Sequence, residues 1–396
     1  MSNTQTKNVP ELRFPGFEGE YSLDIFGNLA TNKSDKFNPQ NENASIDIEL
    51  DCIEQNTGRL IKVYNSKEFS SQKNKFNPQN VLYGKLRPYL NKYYFTKQSG
   101  VCSSEIWVLK STKEDKLLNL FLYYFIQTKR YSDVASKSAG SKMPRADWGL
   151  IENIRVYFPE LCEQQKIGEF FSKLDRQIEL EEQKLELLQQ QKKGYMQKIF
   201  SQELRFKDEN GDDYPNWVIK LLGDIGKVAM NKRIYKHETS TNEEIPFYKI
   251  GNFGKKADTF ISREQFNEYK EKYPYPKKGD ILISASGSIG KTIEYNGGEA
   301  YYQDSNIVWL DHNEEVLNVF LKYFYILVKW NGVEGTTIKR LYNKNILNTK
   351  IDLPTISEQQ KIGDFFGYID NLIEIQEQKL EFLKRRKQSL VQKMFV

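Results

Sequence analysis

The 396-residue sequence predicts an α+β protein built twice over. Two mixed α/β bodies, each followed by one long helix, form a pseudo-twofold tandem repeat in which the two helices pair as a coiled coil. Three observations carry this reading. Residues 158–200 and 353–395 match at a constant offset of 195, with 22 of 43 positions identical. Both segments place apolar residues at alternating spacings of three and four. The remaining chain mixes short β-branched and aromatic runs, ended by Gly or Pro, with amphipathic stretches.

The helical segments are the clearest elements. In the first copy the apolar seam is Ile167, Phe171, Leu174, Ile178, Leu185, Leu188, Tyr195 and Ile199, interrupted at Glu181 and Lys192. In the second it is Ile362, Phe366, Ile369, Ile373, Leu380, Leu383, Leu390 and Met394, interrupted at Gln376 and Lys387. Each follows a proline, Pro159 or Pro354, and Ser357 is the expected N-cap of the second. A helix of 35–40 residues is about 55 Å long. One such helix with a single apolar stripe is unstable alone, so the two should pair. Polar residues at matching seam positions mark Glu181, Lys192, Gln376 and Lys387 as candidate partner-binding residues.

Fainter echoes extend the duplication. Glu11-Leu-Arg-Phe14 returns as Glu203-Leu-Arg-Phe206, and the helix-like run from Leu118 to Phe125 as that from Leu317 to Phe324. Gly140-Ser-Lys-Met-Pro-Arg145 aligns with Gly335-Thr-Thr-Ile-Lys-Arg340. The expected division is an N-terminal segment 1–20, a first body 21–157, a first helical spacer 158–200, a linker 201–216, a second body 217–352 and a second helical spacer 353–396. Within the bodies, Val81–Tyr83 and Asp280–Ser284 read as strands, as do Glu105–Leu109 and Asn306–Leu310. Lys116–Lys129 and Glu315–Lys329 read as amphipathic helices whose Phe and Tyr stripe belongs to the core.

Composition narrows the function. The net charge is only +5, which excludes a histone-like polycation. Three widely spaced cysteines and two histidines fit no zinc-ligand spacing and suit a reducing compartment. The N-terminus lacks an apolar signal core, and the longest apolar stretch, 316–330, carries Lys322 and Lys329. The expectation is a cytoplasmic protein with no membrane span.

Charge is distributed unevenly. No acidic residue lies between Glu68 and Glu105, whereas Lys73, Lys75, Lys85, Arg87, Lys92 and Lys97 do, interleaved with Tyr and Phe. A second acid-free run covers 335–351. Basic residues among aromatics and turn-formers suit a surface that follows a phosphate backbone and probes base edges. The candidate DNA contacts are Lys85, Arg87, Lys142 and Arg145 in the first body, and Ser286, Ser288, Lys291, Thr336, Lys339 and Arg340 in the second. Residues 285–292 nearly match a phosphate-binding loop, but Ala285 replaces the first glycine and a strand-like run follows where a helix is required. No catalytic or metal-binding constellation is evident.

The duplicated Glu-Gln-Gln-Lys-Ile-Gly helices, with the Glu-Leu-Arg-Phe openings and the Gly335–Leu341 stretch, resemble the specificity subunits of type I restriction-modification systems. The likeness covers the full length. It implies two target-recognition domains, each reading half of a bipartite double-stranded DNA sequence, held by an antiparallel helical ruler. It implies docking of two methyltransferase subunits that hold S-adenosylmethionine and methylate adenine N6. Two restriction subunits, translocase–endonucleases using ATP and Mg, would complete the assembly. This chain itself would be non-catalytic and carry no cofactor. Two other readings remain from the residues alone: a coiled-coil scaffold without a DNA role, and an ATP-binding enzyme using the 285–292 loop.

Overall fold

The computed structural model describes residues 8–43, 45–137, 142–330 and 340–396. The chain divides into two compact units, residues 1–183 with 377–396, and residues 184–376. Each unit therefore takes the start of one long helix and the end of the other. The helices run Leu161–Phe200 and Ile356–Met394.

Among the described residues unit one carries three sheets. Ser22–Ile25 pairs antiparallel with Arg155–Phe158. A four-stranded sheet has the order Ala30–Thr31, Ile106–Ser111, Val81–Gly84, Tyr93–Phe95, with Leu82 opposite Val108. A five-stranded sheet has the order Lys36–Phe37, Lys73–Phe76, Gly100–Cys102, Ile46–Ile48, Tyr64–Asn65, and Asp47 faces Val101 in its one parallel pair. Strand faces rich in Val, Ile and Leu bury a core that includes Ile48, Phe76, Leu82, Ile106 and Val108.

Unit two repeats this plan. Val218–Leu221 pairs with Lys350–Leu353. Gly226–Ala229, Ile307–His312, Ile281–Ser284 and Thr292–Glu294 form the four-stranded sheet, with Ile283 opposite Val308. Phe260–Ile261, Ile245–Tyr248 and Tyr301–Tyr302 form the third, with Phe247 facing Tyr301 in its parallel pair. Helix Arg263–Lys272, capped by the Ser262 hydroxyl at 3.2 Å from the Gln265 N–H, follows where unit one has only the short helical turn Ser66–Glu68.

The repeated hexapeptide is a clamp. In unit one the buried Glu163 accepts Arg13 Nε at 2.8 Å and Nη2 at 2.7 Å, and the Tyr21 hydroxyl at 3.2 Å. In unit two Glu358 accepts Arg205 at 3.1 and 2.7 Å and the Trp217 indole at 2.9 Å. A buried carboxylate is costly unless paired and hydrogen-bonded, which explains the arginine of each Glu-Leu-Arg-Phe opening. Next, Gln164 accepts the Leu118 N–H at 3.0 Å and donates to the Lys116 and Pro159 carbonyls, and Gln359 treats Leu317, Glu315 and Pro354 alike. This side-chain bonding holds Leu118 extended, so the expected helix over Lys116–Lys129 is shorter, Asn119–Phe125, with a separate helix at Lys129–Ala135. Its counterpart is Asn318–Leu327. Gly168 and Gly363 complete the clamp: a Cβ would lie 2.7 Å from Leu120 Cγ or 2.6 Å from Val319 Cγ2.

The helix segments run antiparallel within each unit. In unit one Lys387 lies 2.6 Å from Asp175 and Lys379 pairs with Glu181. In unit two Lys192 lies 2.5 Å from Asp370, and Tyr195 stacks edge-on against Phe365. The ends close each core: Phe395 packs on Phe121 and Phe171, and Phe200 on Phe320 and Phe366. Two seam positions are corrected. Met196 and Val391 are buried where Tyr195 and Leu390 were expected, because 3.6 residues per turn drift away from a strict heptad over this length. Ser357 lies inside the first turn, and the Thr355 hydroxyl accepts the Glu358 N–H at 3.4 Å instead. Among the described residues no helix is long and apolar enough to cross a membrane.

Candidate nucleic-acid interface

Three chain segments meet beside the central strand of unit one. The Lys85 N–H donates to the Glu105 carbonyl at 2.9 Å, Ala146 N–H to Lys85 O at 2.8 Å, and Arg87 N–H to Pro144 O at 2.8 Å. Leu86 and Arg145 form an isolated antiparallel bridge. Arg87 has φ of +52°, left-handed backbone that a non-glycine residue adopts at a cost. The turn therefore projects an exposed Arg87, with exposed Tyr89 two residues on and exposed Lys142 and Arg145 across the bridge.

Unit two builds the same arrangement from different residues. Ser286 bridges Arg340, Ala285 N–H donates to Asn306 O at 2.7 Å, and Leu341 N–H to Ala285 O at 2.8 Å. Gly287, φ +64°, stands where unit one has Arg87. The turn then enters strand Thr292–Glu294, where a nucleotide-binding loop would lead into a helix. Arg340 donates from Nη2 to Ser305 O at 3.3 Å. With Met230, Ser305, Tyr342 and Lys344 it lines a cleft of about 470 Å³.

The structure thus brings Lys85, Arg87, Lys142 and Arg145 to one edge, and Ser286, Ser288 and Arg340 to its counterpart. Individual side chains differ from the expectation of open contacts. Ser286 is buried and donates to Asn306 Oδ1 at 2.7 Å, and the Lys291 ammonium donates to Phe253 O at 2.7 Å. Ser288 is exposed. Thr336 and Lys339 lie outside the described residues. The basic run of unit one is also less open than its composition implies. Lys73 is buried, Lys75 pairs with Glu42 at 2.5 Å, and Lys92 donates to Leu50 O at 2.5 Å. Exposed Lys97 remains.

Sequence reading missed the carboxylates of this face. Arg145 donates to Glu105 through Nε at 2.9 Å and Nη2 at 3.0 Å, a side-on fork. Hydrogen bonding from Arg145 holds the Glu105 carboxyl below its ordinary range and raises the guanidinium in turn. In unit two Arg233 donates from Nε to Asp304 Oδ2 at 2.8 Å. No periodicity or spacing links these pairs, 40 and 71 residues apart.

The helical polar residues are also placed. Glu181, Lys192 and Lys387 form the ion pairs given above, Lys387 also donating to Gln127 at 3.1 Å, and Gln376 is buried. Beside them, Leu180 and Phe382 in unit one, and Leu187 and Ile375 in unit two, are exposed apolar residues at matching repeat positions.

A model of the type I restriction modification DNA specificity domain matches residues 20–190 and again 214–385. The chain belongs to that family. Its two units each contain the body of one such specificity domain. S.HindORF215P of Haemophilus influenzae, provisionally named a type I restriction enzyme specificity subunit, is 42% identical over 271 residues, spanning 65% of this chain and 66% of that protein. The MjaVIII type I specificity subunit of Methanocaldococcus jannaschii is 26% identical over 322 residues, 75% of this chain and 74% of its own. The type I system S subunit from M. genitalium is similar in fold, with a TM-score of 0.58 at 17% identity over 98% of this chain and 99% of that one. So is a chain from a study of type I R-M complex assembly, with a TM-score of 0.59 at 18% identity over 94% and 96%.

Proposed function

We propose that this specificity-family chain is the non-catalytic, sequence-reading subunit of a type I restriction-modification complex in the cytoplasm, each unit reading one half of a bipartite double-stranded DNA target. The observation that carries the reading is the duplicated turn face: two different sets of basic and polar residues sit on one shared backbone framework, Leu86 bridged to Arg145 and Ser286 bridged to Arg340. A common framework with divergent side chains suits two readers of different sequences. Lys85, Arg87, Lys142, Arg145, Ser288 and Arg340 are the contacts favoured by exposure or position, with Thr336 and Lys339 on the same acid-free run. Ser286 and Lys291 support the turn from behind.

The long helices dock the methyltransferase subunits. Leu180, Phe382, Leu187 and Ile375 offer apolar knobs at repeated positions, while Glu181, Lys192, Gln376 and Lys387 fix the helix pairing behind them. Restriction subunits join through those partners. Modification-sensitive long-read sequencing, with the gene present and deleted, tests the reading. Deletion should abolish one bipartite N6-methyladenine motif with a fixed spacer. Retention of every motif after deletion counts against it.

A further inference from the structure

The turn before the central strand of unit two is held by two arginines. Arg233 donates to the Asp304 carboxylate at 2.8 Å, and Arg340 to the Ser305 carbonyl at 3.3 Å. Ser305, φ +52°, lines the cleft with Arg340, Tyr342 and Lys344. The Asp304 side chain is 15% exposed, whereas that of Arg233 is 57% exposed. The carboxylate is thus part of the scaffold and the guanidinium faces outward.

That arrangement does more than supply charge. A guanidinium is planar, with a side-on edge at Nε and an end-on edge formed by Nη1 and Nη2. An acceptor on Nε engages the side-on edge and directs the end-on edge away from the protein. The end-on edge matches the O6 and N7 acceptors of guanine in the major groove. A residue that only grips phosphate needs charge and reach, not an oriented planar edge. Unit one shows the same device from the opposite direction: Glu105, in the corresponding turn, holds Arg145. There the arginine arrives from the segment following 142, and in unit two from the segment following strand Gly226–Ala229.

We infer that Arg233 reads a guanine in the half-target of unit two, with Asp304 as its positioning residue. The inference rests on the DNA-recognition reading above and names a specificity determinant within it. The test compares methylated motifs in cells carrying the wild-type chain, R233K or D304N with the rest of the system intact. Lysine keeps the charge but cannot form the planar fork. R233K should make one guanine position of one half-target degenerate, with at least a tenfold loss of discrimination there, and leave the other half unchanged. D304N should relax the same position less. An R233K motif identical at every position overturns the inference. So does a uniform fall in methylation without altered base preference, which marks a phosphate contact. A wild-type chain that specifies no bipartite motif overturns the recognition reading itself, an outcome distinct from both. Thermal unfolding of the purified full-length variants checks that neither substitution disturbs the fold.

Discussion

In unit one a lysine is buried where unit two buries aromatic rings. Asp47 and Phe247 hold the same register position in equivalent strands, each opposite its neighbour in the parallel pair. Around Asp47, the Lys73 ammonium sits 3.0 Å from the carboxylate and 3.9 Å from the Phe69 ring centre, and it also pairs with Glu49. Burial pushes the Asp47 carboxyl up, with Lys73 opposing it. Around Phe247, Tyr301, Ile261 and Phe266 form an apolar cluster beneath helix Arg263–Lys272. The clamps on the long helices, by contrast, agree almost residue for residue. A clamp residue is held by partners on two or three segments, so a change in one strands another. A distal sheet needs only to satisfy itself, and it can exchange an ionic core for an aromatic one while the turn it supports changes its side chains.

The comparison breaks most visibly at the clamp. Arg13→Ala and Arg205→Ala each leave a buried carboxylate without its cation, and each should cost about 3 kcal/mol. Equality is the expected outcome, because Glu163 and Glu358 are 1% and 0% exposed. Urea unfolding of the full chain, followed by Trp217 fluorescence for unit two and Trp107 for unit one, measures both. A loss confined to one unit would mean that the clamps are equivalent in geometry but not in energy.

A smaller effect separates stability from recognition at the turns. Arg87→Gly relieves left-handed backbone and should stabilise unit one by about 0.5–1 kcal/mol. The same change should weaken DNA binding by the assembled complex and lower its salt slope by about one. Gly287→Ala should cost unit two about 1 kcal/mol, since any Cβ at φ +64° is strained. Denaturant midpoints and affinities across a salt series test the pair. Reduced stability in Arg87→Gly would show that the arginine side chain supports the fold.

The smallest effect is pH-dependent and belongs to unit one. Glu105 has a folded pKa held down chiefly by its hydrogen bonds from Arg145. Its stabilisation is therefore present above the ordinary carboxylate value, about 4.3, and is lost as pH falls through the lower folded value. Glu105→Gln should reduce stability slightly at neutral pH and match wild type below that window. Asn306 holds the corresponding place in unit two, which should lack this component. Stability curves at pH 7 and pH 3 distinguish the two.

Much of this architecture is legible without coordinates. The seam of the long helices shows in periodicity, because burying one stripe requires a repeat near 3.6 residues, and the duplication shows as identity at a fixed offset. The strands at Val81 and Ile281 and their partners at Ile106 and Ile307 are legible for a similar reason: a strand buried on both faces reads as an apolar run. Even the bonding role of Arg13 leaves a trace, since both it and Glu163 recur near Arg205 and Glu358. Lys73 leaves none. In the one-dimensional record it is another positive charge in a basic run, and only the fold places Asp47 beside it and closes both from water.

The turn face divides along the same line. Its candidates Arg87, Arg145 and Arg340 stand in acid-free stretches, so local charge identifies them. The carboxylate partner of Arg145 lies far away in the chain, and that residue, Glu105, even appears as the one that ends a basic run. Periodicity reports which face of a segment is buried, because that depends on neighbours three or four residues away. It carries nothing about which arginine meets which carboxylate across 40 or 71 residues, since that pairing is created by strand register and by the bridges that join the turns. Helices, duplication and basic turns were therefore written in local pattern, whereas charge neutralisation, the left-handed Arg87 and the carboxylate-held Arg233 were decided by the packing of distant segments.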